Sequence, residues 1–359
     1  MRIGLLGAGL IGGEHCAGLR DLLDRRLVDG CLAGVHDPAP GRAEEFRARF
    51  GFERVFPTAE ALVAAPGVEV VFVTSWTAAH APAIELAARA GKPVFCEKPL
   101  GRSLGEARAM RDTARAARLP HQLGLILRTS PAFQQVRALC REPALGRLMA
   151  IHLRDDQFFP IQGRYRSEWR KDQVLAGGGT LLEHSIHDVD LVRWLLGDFR
   201  EVRARLGNHA GHPGIEDLAM VQVELAGGGQ ASFLSLWHQI TSRPSTRRLE
   251  IFFERGRLEV ENEVLGPVSL ELGDAPRRVI EQEEVARHYL EANPALLPLG
   301  LQVASPQEVE DFLFLRALSA GRPPAPDFDE GVAAHEIVEA AYLSAREDRP
   351  VALPLAQKL

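Results

Sequence analysis

Arg2-Ile3-Gly4-Leu5-Leu6-Gly7-Ala8-Gly9-Leu10-Ile11-Gly12 runs from a short apolar strand straight into a G-x-G-x-x-G turn, and an amphipathic helical pattern then continues to Arg26. In that position the glycines allow a tight turn, a close approach of backbone to a pyrophosphate, and close helix–strand packing. The helix start also offers unpaired N–H groups and the positive end of its dipole to phosphate. A plain glycine turn reads the same way in isolation. At the end of the first strand, Gly7, Gly9, Leu10, Ile11 and Gly12 are therefore read as a dinucleotide cradle only if an alternating chain follows.

It does. Residues 32–36 read as a second strand and 41–50 as an amphipathic helix closed by Gly51. Thr58 caps a further short helix that ends at Pro66-Gly67. The β-branched run 68–74 is a buried strand, 79–90 a helix, 93–96 a strand, and Ser103 with Glu106 three residues on begins another helix in a capping-box pattern. Residues 122–127 make one more strand. Strand–helix alternation over 1–125 predicts a doubly wound parallel sheet.

From about residue 147 the pattern changes to short strands at 148–153, 201–206, 219–225, 231–237, 248–253 and 257–260, with hairpin chemistry at Gly227-Gly228-Gly229 and Arg255-Gly256. A helix over 179–196 interrupts them. Two helices at 307–320 and 330–346 close the chain around Pro323-Pro324-Ala325-Pro326. This predicts a second domain over 126–359, α+β with a mostly antiparallel sheet and with the 307–346 helices included. The stretch 274–305 is the least legible.

Composition narrows the function classes. A formal charge of -6 over 359 residues gives no basic footprint for nucleic acid. No run approaches the roughly 18 apolar residues of a membrane span. The glycine-broken start does not read as a signal peptide. Cys16, Cys31, Cys96 and Cys140 show no C-x-x-C spacing, which predicts reduced thiols, no zinc ribbon and a soluble cytoplasmic protein.

Four positions carry candidate chemistry. Asp37 ends the second strand somewhat beyond the roughly 20-residue offset of a ribose-binding acid. A carboxylate there favours NAD by repelling a 2′-phosphate, whereas Arg42 close by could accept that phosphate; NADP stays open. Thr74-Ser75-Trp76 and His80 follow the β-branched strand; Trp76 reads equally as a ring stacked on nicotinamide or as packing, and His80 as a cap or loop contact. Glu97-Lys98-Pro99 stands at the end of a parallel strand, where open α/β sheets bind ligands. Among four lysines in an arginine-rich chain, Lys98 can lose or gain a proton as arginine cannot. It suits a proton-transfer or oxygen-polarising group, or a mere ion pair with Glu97. Glu183 and His187, at i and i+4 on the predicted 179–196 helix, share one face, so the carboxylate would fix the imidazole tautomer of a general base. A solvated pair fits the same spacing. His184, His187, Asp188 and Glu183 are also zinc-type ligands, but without a closed-site spacing, so no metal is expected.

Taken together, Gly7-x-Gly9-x-x-Gly12, Asp37, Val73-Thr74-Ser75-Trp76-Thr77-Ala78-Ala79-His80, Cys96-Glu97-Lys98-Pro99-Leu100 and Gly178-Gly179-Thr180-Leu181-Leu182-Glu183-His184-Ser185-Ile186-His187-Asp188-Val189-Asp190 resemble the glucose–fructose oxidoreductase/inositol dehydrogenase/MocA family, over nearly the whole chain. The strings around Trp76 and Lys98 are similar to its inositol 2-dehydrogenases. The resemblance implies a Rossmann domain, an open-faced C-terminal sheet used in homo-oligomers (dimer or tetramer), and NAD(P)-dependent oxidation of a sugar or cyclitol hydroxyl. It also implies Lys98 and His187 in the active site, with Glu183 in place of the usual aspartate. Other classes remain: a keto-sugar or imine reductase, a lyase with tightly held nucleotide, or a non-catalytic dinucleotide-binding sensor.

Overall fold

A computed structural model describes residues 1–300 and 306–356. They form two compact units, 1–125 with 306–332 and 126–300 with 333–356. The last part of the poorly legible stretch, 301–305, lies outside the described residues.

In the first unit β1 (Arg2–Leu6), β2 (Cys31–His36), β3 (Arg54–Val55), β4 (Val70–Val73), β5 (Val94–Cys96) and β6 (His121–Leu123) form a parallel sheet ordered β3-β2-β1-β4-β5-β6. The chain reverses its direction of winding between β1 and β4, the position at which doubly wound sheets open a ligand crevice. Crossovers are made by α1 (Leu10–Asp24), α2 (Arg42–Phe50), α3 (Ala59–Ala64), α4 (His80–Ala90) and α5 (Leu104–Ala116). The two caps read from the sequence are formed: Thr58 Oγ1 accepts from Ala61 N at 3.1 Å and Ser103 Oγ from Glu106 N at 3.2 Å. The strand expected over 122–127 stops at Leu123, and a 3₁₀ turn takes Ile126–Thr129. A short apolar run does not by its pattern distinguish the two.

The second unit carries α6 (Pro131–Leu139), the short α7 (Gln173–Ala176) and α8 (Thr180–Glu183), α9 (Ile186–Leu196) and α10 (Gln282–Ala292). Among the described residues its sheet has nine strands: β7 (Leu148–Phe158), β8 (Phe199–Gly207), β9 (Leu218–Leu225), β10 (Gln230–His238), β11 (Thr246–Phe253), β12 (Gly256–Val260), β13 (Val268–Leu272), β14 (Arg278–Ile280) and β15 (Val351–Ala352). The order is β14-β13-β12-β11-β7-β10-β9-β8-β15, antiparallel except for β7 beside β10. Period-2 alternation turns Ile151, Leu153, Val221, Val223, Phe233, Leu249 and Ile251 into one core with Val189 and Val192 of α9. On the opposite face Met220 and Phe252 are exposed, as is Met149 at the irregularity where β7 and β11 slip register.

The closing helices are α11 (Pro306–Ser319) and α12 (Phe328–Glu347). The sequence reading put both in the second domain, but α11 belongs to the first unit. Phe314 meets Phe72 and Phe95 edge-on at 5.6 and 5.8 Å. Helices α1 and α11 pack so tightly that a Cβ on Gly18 of α1 would stand 2.9 Å from Glu308 Cβ of α11. Sequence neighbours gave no hint of this, because the contact spans nearly the whole chain. No helix among the described residues is long and apolar enough to cross a membrane, and all four cysteines are free.

Candidate active site

The crevice at the winding reversal is built by backbone. Gly7 has φ +103°, a conformation that favours glycine, and donates its N–H to His36 O at 2.9 Å. A Cβ there would lie 2.5 Å from Ser75 N, and one on Gly12 would lie 2.4 Å from Gly7 O. Thr74 Oγ1 donates to Gly7 O at 2.7 Å and locks the end of β4 to the turn. At Gly9, by contrast, a Cβ would meet nothing within 4 Å. Gly9 is also the N-cap of α1 and brings no side-chain cap, while Leu10 beside it is exposed and Ile11 half-buried. Ser75 Oγ, buried at the same edge, has no hydrogen-bond partner. Open space at the one glycine that constrains nothing, uncapped helix N–H groups and an orphaned hydroxyl together fit a phosphate-bearing nucleotide.

Asp37 is occupied locally: its two carboxylate oxygens each accept a backbone N–H, from Ala8 and Ala39, both at 2.8 Å. A carboxylate offers about four lone-pair positions, so these bonds orient it and leave it able to accept from a ribose. Arg42 stands 3.8 Å away, half-exposed. His80 is buried; Nδ1 faces Pro99 O at 3.0 Å and Leu100 O at 3.3 Å, and Nε2 faces Ser75 O at 3.2 Å. The ring thus ties the loop after β4 to the loop after β5, and Trp76 between them is half-buried.

Lys98 follows β5, and its backbone N–H donates to Glu97 Oε2 at 2.9 Å. The other Glu97 oxygen lies 3.0 Å from His15 Nε2, and His15 Nδ1 lies 2.8 Å from Asp311 Oδ1 of α11. Gly124 leaves the room, since a Cβ there would stand 3.1 Å from Glu97 Oε1. Burial opposes charge on His15, but the Asp311 and Glu97 carboxylates outweigh it and hold the imidazole well above its ordinary value. Burial would raise Glu97 too, yet the His15 hydrogen bond and the charges of His15 and Lys98 bring it below the usual carboxylate range. The pair is therefore read as imidazolium and carboxylate. His15, Glu97 and Glu310 also place potential metal-ligand atoms within 4.8 Å of one another, but both His15 nitrogens are spent on carboxylates.

In the second unit the structure changes the picture of Glu183 and His187. The single helix expected over 179–196 is two helices, α8 ending at Glu183 and α9 starting at Ile186, so the four-residue spacing crosses a break and no longer defines one helical face. The cause is side-chain competition with the helix. His184 Nε2 turns to Asp155 at 2.9 Å and Ser185 Oγ donates to Ser235 Oγ at 2.6 Å, while Thr180 Oγ1 shares Ser235 at 2.8 Å. Glu183, buried, accepts from Arg170 Nε at 3.3 Å. His187 is 8% exposed. The glycines before α8 allow close approach: a Cβ on Gly179 would stand 1.8 Å from Glu216 O. The Glu216 carboxylate caps α8, accepting from Gly179 N at 2.8 Å, Leu181 N at 3.0 Å and the Tyr342 hydroxyl at 3.0 Å.

The sheet register explains what anchors this break. Arg247, Asp155 and Ser235 are directly paired across β11, β7 and β10 on the core-facing side. Arg247 donates to Asp155 at 2.7 Å and to Asp188 at 2.5 Å, and also pairs with Glu263. Asp155 is held below the carboxylate range: burial opposes this, but Arg247 and His184 prevail. Burial pushes Asp188 well up despite Arg247. The two acids are thus driven in opposite directions beside one guanidinium. Sequence reading missed Asp155, Ser235 and Arg247 as a unit, as it missed His15 with α11. The available signal was an acidic pair, Asp155-Asp156, inside an otherwise alternating strand.

Comparison with known proteins agrees with this architecture. Residues 1–124 match the model of an oxidoreductase family with an NAD-binding Rossmann fold, and residues 133–259 match the GFO/IDH/MocA C-terminal domain. The chain is 30% identical to inositol 2-dehydrogenase of Acidothermus cellulolyticus strain ATCC 43068 / DSM 8971 / 11B, covering 98% of this chain and 94% of that one. It is 29% identical to inositol 2-dehydrogenase of Rhizobium meliloti strain 1021, covering 98% and 99%. Among solved structures, levoglucosan dehydrogenase in complex with NADH and L-sorbose shares the fold with a TM-score of 0.87 at 23% identity, over 99% of both chains.

Proposed function

The chain belongs to the GFO/IDH/MocA oxidoreductase family, and from that premise we propose that it is an NAD-dependent dehydrogenase acting on a hydroxyl carbon of a sugar or cyclitol. The observation that carries the reading is Gly9, open where Gly7 and Gly12 of the same turn are closed, one residue before the uncapped start of α1. Gly7, Gly9, Leu10, Ile11 and Gly12 would hold the pyrophosphate, Asp37 the ribose, and Thr74, Ser75, Trp76, His80 and Glu97 the edge of the same crevice. Bound there, NAD supplies the hydride acceptor. Asp37 favours NAD over NADP because a buried carboxylate repels a 2′-phosphate, with Arg42 of α2 a compensating charge nearby.

The remaining task of an alcohol oxidation is removal of the hydroxyl proton, and we assign it to Lys98 and His187, with Glu183 a positioning residue. Lys98 is suited to it by chemistry, since its ammonium can release a proton that an arginine would keep. His187 is suited by burial and by a flanking helix break that fixes its backbone. The substrates named for the similar proteins, inositol and levoglucosan, are polyhydroxylated rings and support a cyclitol or sugar. Free cysteines support a cytoplasmic setting, and exposed Met149, Met220 and Phe252 support a homo-oligomer.

Cyclitols and aldoses offered with NAD and NADP separately should give NADH formation with NAD. In the active combination, Lys98→Met and His187→Ala should each lower kcat by about 10²–10⁴-fold with NADH binding retained. Undiminished turnover in both variants would reject the assignment.

A further inference from the structure

Next to the Glu97-Lys98-Pro99 turn lies a group of acids with too few protons among its neighbours. Glu310 on α11 is 1% exposed, and neither of its carboxyl oxygens has a hydrogen-bond partner. Asp311 Oδ2 and Gln122 Oε1 are likewise buried acceptors without a donor. Gln122, on β6, spends its amide N–H on Glu310 O at 3.3 Å. The oxygens of Glu310 and Glu97 and a nitrogen of His15 lie within 4.8 Å of one another. A buried, unpaired carboxylate facing a second carboxylate is costly, whereas a carboxylic acid in the same place gains a donor and loses the repulsion.

We propose that Glu310 is a positioning residue that holds a proton beside the His15–Glu97 pair and thereby sets the pH at which Lys98 exchanges its own. This inference rests on the reading of Lys98 given above. The charge balance supports it: the imidazolium of His15 already lies between Glu97 and Asp311, burial raises Asp311 against the charge and hydrogen bond of His15, and an ionised Glu310 would add one more negative charge to the group. Burial, reinforced by Glu97 and Asp311, pushes the Glu310 carboxyl well above its ordinary range against the opposing charges of His15 and Lys98. The other titratable neighbours are thiols, Cys16 on α1 and Cys96 on β5, both driven upward by burial and so neutral. Phe72 and Phe95 close the remaining sides of the His15 ring at 6.1 and 5.0 Å. Nearer the start of α11, Glu308 faces Asp21 of α1 and Arg25 just beyond that helix.

The sign of the effect follows. As pH rises, Glu310 ionises and its new negative charge favours the ammonium form of Lys98. A glutamine cannot ionise, so in Glu310→Gln the pH limb that belongs to Lys98 should move to lower pH, by about half a unit or more in a poorly screened site. Glu310→Met, equally unable to ionise, should move it the same way and replaces the amide if that variant does not fold. The experiment compares kcat and kcat/KM pH profiles for wild type and variants on the active polyol, with NADH affinity and melting temperature as controls. A merely structural role would lower the melting temperature and leave the limb in place, and that result would overturn the proposal. So would one equivalent of metal per chain that survives chelation in the wild type and is absent from Glu310→Gln. Lys98→Met serves to separate the two readings. If it keeps full turnover, both fall; if it is inactive while the Glu310 profiles superimpose on wild type, only this inference falls.

Discussion

Each unit buries a cluster of charge, and the two clusters solve the same problem with different cations. In the second unit the cation is Arg247, 4% exposed at its side chain, which cannot lose its proton and is planar enough to bind Asp155 and Asp188 at once. In the first unit the central cation is His15, fully buried between Asp311 and Glu97, and every member of the group can change its charge. A permanent cation makes a fixed strut. A titratable one makes a cluster whose charge can follow the chemistry beside it. The strut holds a helix break in place under His187; the adjustable cluster adjoins Lys98.

Removing the cation from each cluster is the strongest way to test that contrast. Arg247→Met leaves Asp155 and Asp188 buried with one fewer partner each, and breaking a buried ion pair on one side costs about 3–5 kcal/mol. Denaturant unfolding should show that loss, and because α8 and α9 lean on Asp155 through His184 and Ser185, the variant should lose near-UV signal from Trp194 of α9 as well. A loss below about 1 kcal/mol would mean that the strut carries little. His15→Gln should cost less, about 1–3 kcal/mol, because a glutamine amide can still donate to a neighbouring carboxylate, whereas methionine leaves Asp155 and Asp188 no donor in place of the guanidinium. Equal losses in the two variants would erase the distinction.

The contrast also separates what was legible in the sequence from what was not. The parallel sheet was readable because each strand and its crossover helix are local, with punctuation at Gly51, Thr58, Pro66-Gly67 and Ser103. The glycine turn and the Glu97-Lys98-Pro99 turn were readable for the same reason. Neither charge cluster was. His15 and Asp311 are 296 residues apart, and nothing in the pattern around residue 306 says that α11 returns to the first unit. Arg247, Asp155 and Ser235 meet only through strand register, which periodicity cannot supply. The helix over 179–196 was misread where local propensity lost to those contacts: His184 and Ser185 satisfy Asp155 and Ser235 instead of continuing the helix. The expected placement of Glu183 and His187 on one helical face was lost with that break.

The smallest effect discriminates most finely, because the two clusters should fail at opposite ends of the pH scale. His15 has a folded-state value raised above the ordinary 6.5, so its stabilisation is complete below that pH and disappears as pH rises through the folded value. Asp155 is depressed below the ordinary 3.8, so its stabilisation is present above that pH and disappears as pH falls through the folded value. The stability gap between wild type and His15→Gln should therefore narrow on the alkaline side, and the gap between wild type and Asp155→Asn on the acid side. Arg247 keeps its charge at both ends, which is why the second gap should stay flat from neutrality upward. Unfolding measured from about pH 2 to about pH 10, a window that starts below the ordinary value of Asp155 and runs well above that of His15, tests this. If the His15 gap stayed constant above neutrality, the imidazole would carry no proton in the folded state. The first cluster would then be as fixed as the second, and the charge balance that makes Glu310 a neutral acid would no longer close.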